Sequence, residues 1–256
     1  MERGISENRS TSRSLAADLS KLLSPGQVIT DGPEMRVALQ DGTGNPEDSE
    51  QVAQVLAWCY GHDVPLTLRG GGTGLAGGAV PDGGVVLSLE RLNQVRSIDP
   101  ELWRMEVEAG VRTGTVHRIA RENGLLFPPD PGASEQSTIG GNIATNAGGP
   151  HAFRYGVTGS WVTGVEAVVP PGEVLTSGGP LRKNVAGLDL TSLMIGSEGT
   201  LGIVTSAWLR LVPAPEERSV VVGFYEDTHA GCDAIAMIMG SGIQPTALEF
   251  LDRGAL

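Results

Sequence analysis

The chain has 256 residues, 40% hydrophobic content, 37 glycines and a formal net charge of −12. An acidic surface of this kind excludes a nucleic-acid-binding role, because phosphate contacts need a basic face, and it disfavours an anionic membrane surface as a partner. Two cysteines, Cys59 and Cys232, are too few for a disulfide framework and read as reduced, half-buried thiols of a cytoplasmic protein.

Residues 1–12 are polar and read as disordered, with no apolar run behind their arginines to make a secretory signal. No stretch of the chain approaches the ~18 apolar residues of a transmembrane helix. Residues 14–23 place Leu15, Leu19, Leu22 and Leu23 at helical spacing, and Pro25-Gly26 ends that helix. Residues 27–45 show no clear period. Asp48 or Ser49 can cap a helix in which Val52, Val55, Leu56, Cys59 and Tyr60 share a face, stopped at Gly61.

A strand over residues 64–68 then leads into RGGGTGLAGG at 69–78, and a second strand is expected over 85–89. Six of those ten residues are Gly. Glycine accepts φ > 0 at little cost, and successive exposed N–H groups form a concave anion site. Gly72-Thr73-Gly74-Leu75-Ala76-Gly77 also matches G-x-G-x-x-G. A Rossmann site, however, needs a helix opening at the loop, and here a strand follows. A phosphate cradle between two strands is the favoured reading; a nicotinamide-binding Rossmann protein and a purely structural turn are the alternatives.

Residues 104–109 read as a strand. Thr113 can cap a short helix with Val116, Ile119 and Ala120 inward, closed by Gly124. A second Gly-rich block, PPDPGASEQSTIGGNIATNAGG, spans 128–149, and its residues 138–149 carry no charge. That composition suits a backbone lying close to a planar or phosphorylated ligand, or else a tight packing segment. A hairpin is expected from 161–170 and 174–176, turned at Pro171-Gly172. The third block, LDLTSLMIGSEGTLGIV at 188–204, sets Glu198 among Gly196, Gly199 and Gly202. An apolar strand over 201–211 ends at a boundary marked by Pro213 and Pro215. Beyond it, a strand (220–224), a helix (230–239) and a strand (246–251) read as a fresh βαβ unit. The four histidines, His62, His117, His151 and His229, show no metal-ligand spacing, so no metal site is expected. His151, in GGPHAFRYG, reads as polar or structural.

The three blocks, with RYGV at 154–157 and RKN before the third block, together resemble the FAD-binding (PCMH-type) domain of the vanillyl-alcohol oxidase / p-cresol methylhydroxylase superfamily. The branch they resemble is that of the glycolate oxidase FAD subunit and D-lactate dehydrogenase, over residues of about 47–213. The resemblance implies an α+β fold of two subdomains with FAD between them. One is a small, mostly parallel αβ subdomain reaching to about Ala109. The other is an antiparallel sheet with flanking helices. It implies an N-terminal tail and helix (1–30), the FAD domain (31–213) and the start of a substrate or cap domain (214–256).

It further implies that Arg69, Gly70, Gly71, Gly72, Thr73 and Gly74 wrap the FAD pyrophosphate. Pro129, Asp130, Ser134 and Thr138 would follow the ribityl and diphosphate. Ile139, Gly141, Asn142, Gly148 and Gly149 would line the flavin, continued by Tyr155, Gly156 and Val157. Glu198, Ile203 and Val204 would hold the adenosine end, with backbone groups of Ile203 on the adenine. Thr73 stands where covalently flavinylated relatives often carry His, which implies non-covalent FAD.

The implied activity is oxidation of a 2-hydroxy acid such as glycolate or D-lactate by hydride transfer to flavin N5, with an iron–sulfur subunit as a possible partner. The alternative is a truncated, non-catalytic FAD-binding module. The family's substrate-binding His and acidic residues are expected in the cap, so the resemblance assigns no catalytic base here. Two departures stand out. The family has a strand between a segment like 41–45 and the helix at Asp48; here either Met35–Leu39 replaces it or the sheet lacks a member. Leu188 also stands where relatives usually have Tyr.

Overall fold

The leucine spacing near the N-terminus forms a helix as expected. In the computed structural model, which describes residues 15–24, 26–30, 42–252 and 254–255, residues 15–22 are helical, with Leu15, Leu19 and Leu23 buried. The expectations for residues 1–12 and for Met35–Leu39 lie outside the described residues.

β1 (Val28–Ile29) and β2 (Gly42–Gly44) pair antiparallel. α1 (Ser49–Gly61) starts at Asp48, whose carboxylate accepts from the N–H of Gln51; a cap of this type is worth about 1 kcal/mol. Val52, Val55, Leu56 and Cys59 are buried. Tyr60, expected on the same face, is instead 61% exposed. β3 (Leu66–Arg69) and β4 (Val85–Ser88) are parallel, and β4 is also parallel to β2, which gives the order β1-β2-β4-β3. Gly42–Gly44 is thus itself a strand of this sheet, and among the described residues no further strand lies between it and α1. The β3–β4 connection contains no helix, so the helix that a Rossmann loop must open is missing.

β5 (Val95–Asp99), β6 (Arg104–Glu108), β8 (Val162–Val169), β9 (Glu173–Gly178) and β10 (Ile203–Arg210) form a second, wholly antiparallel sheet in the order β5-β6-β10-β8-β9. The expected subdomain limit near Ala109 is thus too late. β6 pairs residue by residue with β10, Ser206 opposite Glu108 through Arg210 opposite Arg104, and β5 pairs with β6. The smaller subdomain ends near Leu92. A short pair, β7 (Leu125–Leu126) with β11 (Val212–Pro213), lies outside both sheets.

The period of two in β8 puts its faces in different cores. Val165 and Ala167 face one cluster with Met105, Val107, Leu209 and Ile143, whereas Val168 joins α1, Val85 and Leu87 in the other. The antiparallel sheet is therefore covered on both sides. A polar network ties α1 to it: Ser49 Oγ donates to Glu166 Oε1 at 2.5 Å, Thr205 Oγ1 donates to the same oxygen at 2.9 Å, and Arg96 reaches Glu108 and Ser206.

α2 (Thr113–Glu122) buries Val116 and Ala120 and is followed by Gly124 at φ +70°. Its N-cap position is Arg112, without a side-chain cap bond. Thr113, expected to cap, sends its hydroxyl to Ser137 Oγ at 2.8 Å instead. After β11, the one regular element among the described residues is α6 (Thr228–Gly240). Neither residues 220–224 nor 246–251 form the expected strands. Val220, Val221 and Phe224 are about nine-tenths exposed, and among the described residues no strand pairs with these segments. An isolated strand leaves its backbone groups without ladder partners. Among the described residues no helix is long and apolar enough to cross a membrane.

Candidate functional site

β3 delivers the first Gly block. Past its end, the N–H groups of Gly71, Gly72, Thr73 and Gly74 donate to no protein acceptor among the described residues. Gly72 has φ +65°, and the Arg69 Nη2 atom lies 2.7 Å from where a Cβ of Gly72 would stand. The guanidinium is thus folded over its own loop, and no ion pair among the described residues engages it. Among the described residues, four N–H groups and a guanidinium without partners are the kind of donor set that an anion site needs.

The second block supports that loop. A Cβ on Gly70 would meet Thr138 Oγ1 at 2.5 Å, and one on Gly71 would meet the Gln136 carbonyl oxygen at 2.1 Å. Within the block, α3 (Ile139–Thr145) starts at Thr138, which accepts from Gly141 N. Glycine inside a helix costs roughly 1 kcal/mol relative to Ala. Here Gly140 is needed because a Cβ would stand 2.7 Å from the Ala109 side chain. Buried hydroxyls complete the junction: Asn142 Nδ2 donates to Thr113 Oγ1 at 2.7 Å, and Thr113 Oγ1 lies 2.8 Å from Ser137 Oγ.

The third block docks at the other end of α3. Gly196 N donates to Ile143 O and Glu198 N to Ala144 O. Asn146 ends the helix at φ +49°, and its Oδ1 accepts from Gly159 N at 2.8 Å. Glu198 itself has φ +51°, an uncommon conformation for a residue with a side chain. Its Oε2 lies 3.2 Å from the position of a Gly78 Cβ, and a Gly199 Cβ would strike Leu68 at 2.6 Å. Blocks distant in sequence thus meet around one short helix and touch each other. α5 (Leu190–Met194), capped by Asp189, leads into the third block. The hydroxyl and N–H of Ser192 hold the Asp189 carboxyl below its ordinary pKa.

Beyond Asn146 the chain turns through Gly148 and Gly149 to His151 and α4 (Ala152–Tyr155). A Cβ on Gly149 would lie 2.1 Å from the Asp130 carbonyl oxygen, so glycine permits this closure. His151 N donates to Asp130 Oδ1 at 2.9 Å, and its Nδ1 lies 3.2 Å from both Asp130 Oδ2 and Pro128 O. His117, from α2, reaches Pro129 O through Nε2 at 2.7 Å. Burial is the main force on His117 and lowers its pKa; the Pro129 bond opposes it. Tyr155 stands edge-on to both His151 and Trp161, and Trp161 Nε1 donates to the Tyr155 carbonyl. Gly156 follows at φ +74°.

The sequence-predicted residues are therefore brought together, but not all in the same way. Arg69, Gly72, Thr73, Gly74, Asp130, Gly141, Gly148, Tyr155, Gly156, Val157 and Glu198 are at least partly exposed. Pro129, Thr138, Ile139, Asn142, Ile203 and Val204 are buried, and the last four side chains pack inward. Ser134 lines a separate surface cavity with Gly114, His117 and Arg121, which holds none of the other expected residues. Sequence reasoning missed α3, the Thr113–Ser137–Asn142 junction, the role of His117 and the His151–Asp130 contact. The first carried a signal, a Thr cap before a run of small residues; the others join positions far apart with no local pattern. The two thiols are also unlike the expected half-buried pair: Cys59 is buried and Cys232 exposed, neither in a disulfide.

A family model described as an FAD binding domain matches residues 41–178. The glycolate oxidase subunit GlcD of Bacillus subtilis (strain 168) is 42% identical over 220 residues, which cover 86% of this chain and 47% of that protein. A D-lactate dehydrogenase of Anaerostipes hadrus is 39% identical, covering 80% and 43%. A D-2-hydroxyglutarate dehydrogenase of Xanthomonas citri pv. viticola is 46% identical, covering 69% and 38%. Among solved structures, an alkyldihydroxyacetonephosphate synthase superposes with a TM-score of 0.77 at 22% identity, over 92% of this chain and 47% of that one. The shared fold is that of the PCMH-type domain. The chain spans about half the length of the curated relatives it matches.

Proposed function

We propose, because this chain belongs to the family of FAD binding domains, that it forms the FAD-binding part of an enzyme oxidising a 2-hydroxy acid such as glycolate or D-lactate. The observation that carries the reading is the first loop: four N–H groups, Gly71 to Gly74, beside the Arg69 guanidinium, all without partners among the described residues. That set suits a diphosphate. The substrate class is supported by the names of the similar proteins, a glycolate oxidase subunit and D-lactate and D-2-hydroxyglutarate dehydrogenases.

In this reading Arg69 and Gly70 to Gly74 take the diphosphate, and Pro129, Asp130 and Thr138 follow the ribityl and diphosphate, while Ser134, in its separate cavity, is left out. Ile139, Gly141, Asn142, Gly148, Gly149, Tyr155, Gly156 and Val157 form the flavin wall. Glu198, Ile203 and Val204 take the adenosine end. Ile139, Asn142, Ile203 and Val204 contribute backbone only, since their side chains are buried. Bound FAD would supply the acceptor for a hydride from the substrate Cα. The chain's own part is to hold the cofactor in the groove around α3 and keep one flavin edge open to substrate. Thr73 offers no ring nitrogen for a covalent flavin link, so the cofactor is held non-covalently.

Residues 214–256 are proposed as the start of a substrate or cap domain. The support is their uncovered apolar side chains, Val220, Val221, Phe224 and Met237 among them. The same surface favours a second reading, a non-catalytic module that binds FAD without turnover. The two free thiols suit a reducing compartment, and we place the protein in the cytoplasm. An iron–sulfur subunit is the partner proposed by likeness to the glycolate oxidase subunit.

The experiment is direct. The purified chain should be yellow or take up added FAD, and acid precipitation should release the flavin into the supernatant. Anaerobic bleaching by D-lactate, glycolate or D-2-hydroxyglutarate supports the enzyme reading. Bound FAD with no bleaching supports the module. A protein that takes up no FAD would refute both.

A further inference from the structure

The cavity that holds Ser134 lies between α2 and residues 134–135 of the second Gly block, and it measures about 410 Å³. That volume falls within the usual range of small-molecule sites, about 300–1,000 Å³. Thr115, His117, Arg118 and Arg121 of α2 line it, opposite Ser134 and Glu135. Residues 114, 117, 118 and 121 share one helix face, as spacings of three and four require. Several of these groups are uncommitted within the protein. Arg118 is paired with Glu122 at 2.9 Å, but Arg121 and Glu135 enter no ion pair among the described residues. The Thr115 and Ser134 hydroxyls and the Glu135 carboxylate have no hydrogen-bond partner there either. The His117 ring faces Pro129 O through Nε2 at 2.7 Å, so its hydrogen is assigned there and Nδ1 is left as an acceptor.

The two uncommitted charges stand at opposite ends of this cavity. Glu135 Oε1 is 2.6 Å from where a Cβ of Gly114 would be, so its carboxylate lies against the first turn of α2. Arg121 is seven residues further along, about 10.5 Å of helix rise. Burial is the main force against protonation of His117, and the Arg121 charge adds to it, so the guanidinium stands near that ring. A helical side chain leans toward the N-terminus of its helix, which brings the guanidinium back over the cavity and shortens its gap to the carboxylate. A purely anionic ligand meets Glu135 here, and a purely cationic one meets Arg118 and Arg121. We propose that the cavity binds a small zwitterion of dipeptide length, its ammonium toward Glu135 and its carboxylate toward Arg121. The hydroxyls of Thr115 and Ser134 then meet its polar middle, and His117 Nδ1 accepts from an N–H. A 2-hydroxy acid lacks the ammonium, so this site is separate from substrate oxidation and does not rest on the FAD reading.

Glycylglycine is the probe, because both its termini are charged at about pH 7. The 15N-labelled chain is titrated with it and with two capped forms, N-acetylglycylglycine and glycylglycine amide, each of which removes one charge. The expected result is saturable shifts at the amides of Thr115, Ser134 and Glu135. Each capped form should bind about tenfold or more weakly, through loss of one charge-assisted contact. Arg121→Gln should weaken glycylglycine to a similar degree and leave the amide, which has no carboxylate, as in the parent. Glu135→Gln should do the same with the acetylated form as its insensitive ligand. Either variant suffices if the other fails to fold, and the capped forms need no variant. Equal affinity for all three peptides, no saturable shift at those amides, or binding that survives both substitutions overturns the proposal. FAD uptake is read separately on the same sample, so loss of this site leaves the FAD reading standing.

Discussion

The missing Cβ of Gly71 would stand 2.1 Å from the carbonyl oxygen of Gln136, far inside contact distance. That approach seats the first Gly block on the second. Gly71→Ala must push the two loops apart. Overpacking of this kind costs about 1–3 kcal/mol, so the urea midpoint should fall and the ratio of bound flavin to protein should fall with it. A variant with unchanged midpoint and full flavin content would show that the loops are not so joined.

Gly72→Asp tests the charge logic of the same loop. The new carboxylate would lie against the Arg69 guanidinium, whose Nη2 is 2.7 Å from the Cβ position, and would occupy the place of the diphosphate. FAD binding should weaken about 100-fold, about 2.8 kcal/mol. Glu101→Gln, an exposed change away from the loop, should leave it as in the parent. Titration by flavin fluorescence decides, and full retention by Gly72→Asp would point to another anion site.

His117 makes stability depend on pH. Burial favours the neutral ring, so its pKa lies below the ordinary 6.5 in the folded protein. The unfolded chain then binds more protons as the pH drops through 6.5, and stability is present above that value and lost below it. His117→Gln keeps a donor for Pro129 O but cannot titrate. Urea midpoints measured at pH 7.5 and 5.5 should differ less in the variant than in the parent; equal differences would remove His117 as a cause.

The thiols should behave differently. Burial pushes the Cys59 thiol up to about 11, and its side chain lies in the α1 core, whereas Cys232 is exposed. An alkylating reagent at neutral pH should label Cys232 in the native protein and reach Cys59 only after unfolding. Rapid native labelling of Cys59, read by peptide mass, would mean that α1 opens readily from the sheet.

Much of this was legible locally. The Asp48 cap, the α1 face of Val52, Val55, Leu56 and Cys59, the strands around RGGGTGLAGG and the hairpin at Pro171-Gly172 all follow from neighbours a few residues apart, as does the lack of a helix after Gly77. The errors share one cause. The subdomain limit near Ala109 failed because β6 pairs with β10, about a hundred positions later. Thr113 failed as a cap because Ser137 and Asn142 claim its hydroxyl. The strands at 220–224 and 246–251 have suitable residues but no partner strand among the described residues.

By itself, the sequence determined the chemistry of the cradle: side-chain-poor loops with one arginine, spaced as in the FAD-binding family, and a fold of two sheets. Backbone freedom and N–H exposure are properties of single residues, so they can be read from composition. Only the tertiary structure decided that three blocks converge on α3, that Gly71 and Gly149 are glycines because other backbone occupies their Cβ space and Gly140 because the Ala109 side chain does, and that Asp130 meets His151. Those facts depend on contacts between distant segments, which form when both cores close on the antiparallel sheet. At RGGGTGLAGG the sequence named the residues, and the fold left the N–H groups of residues 71–74 without protein acceptors among the described residues, beside Arg69.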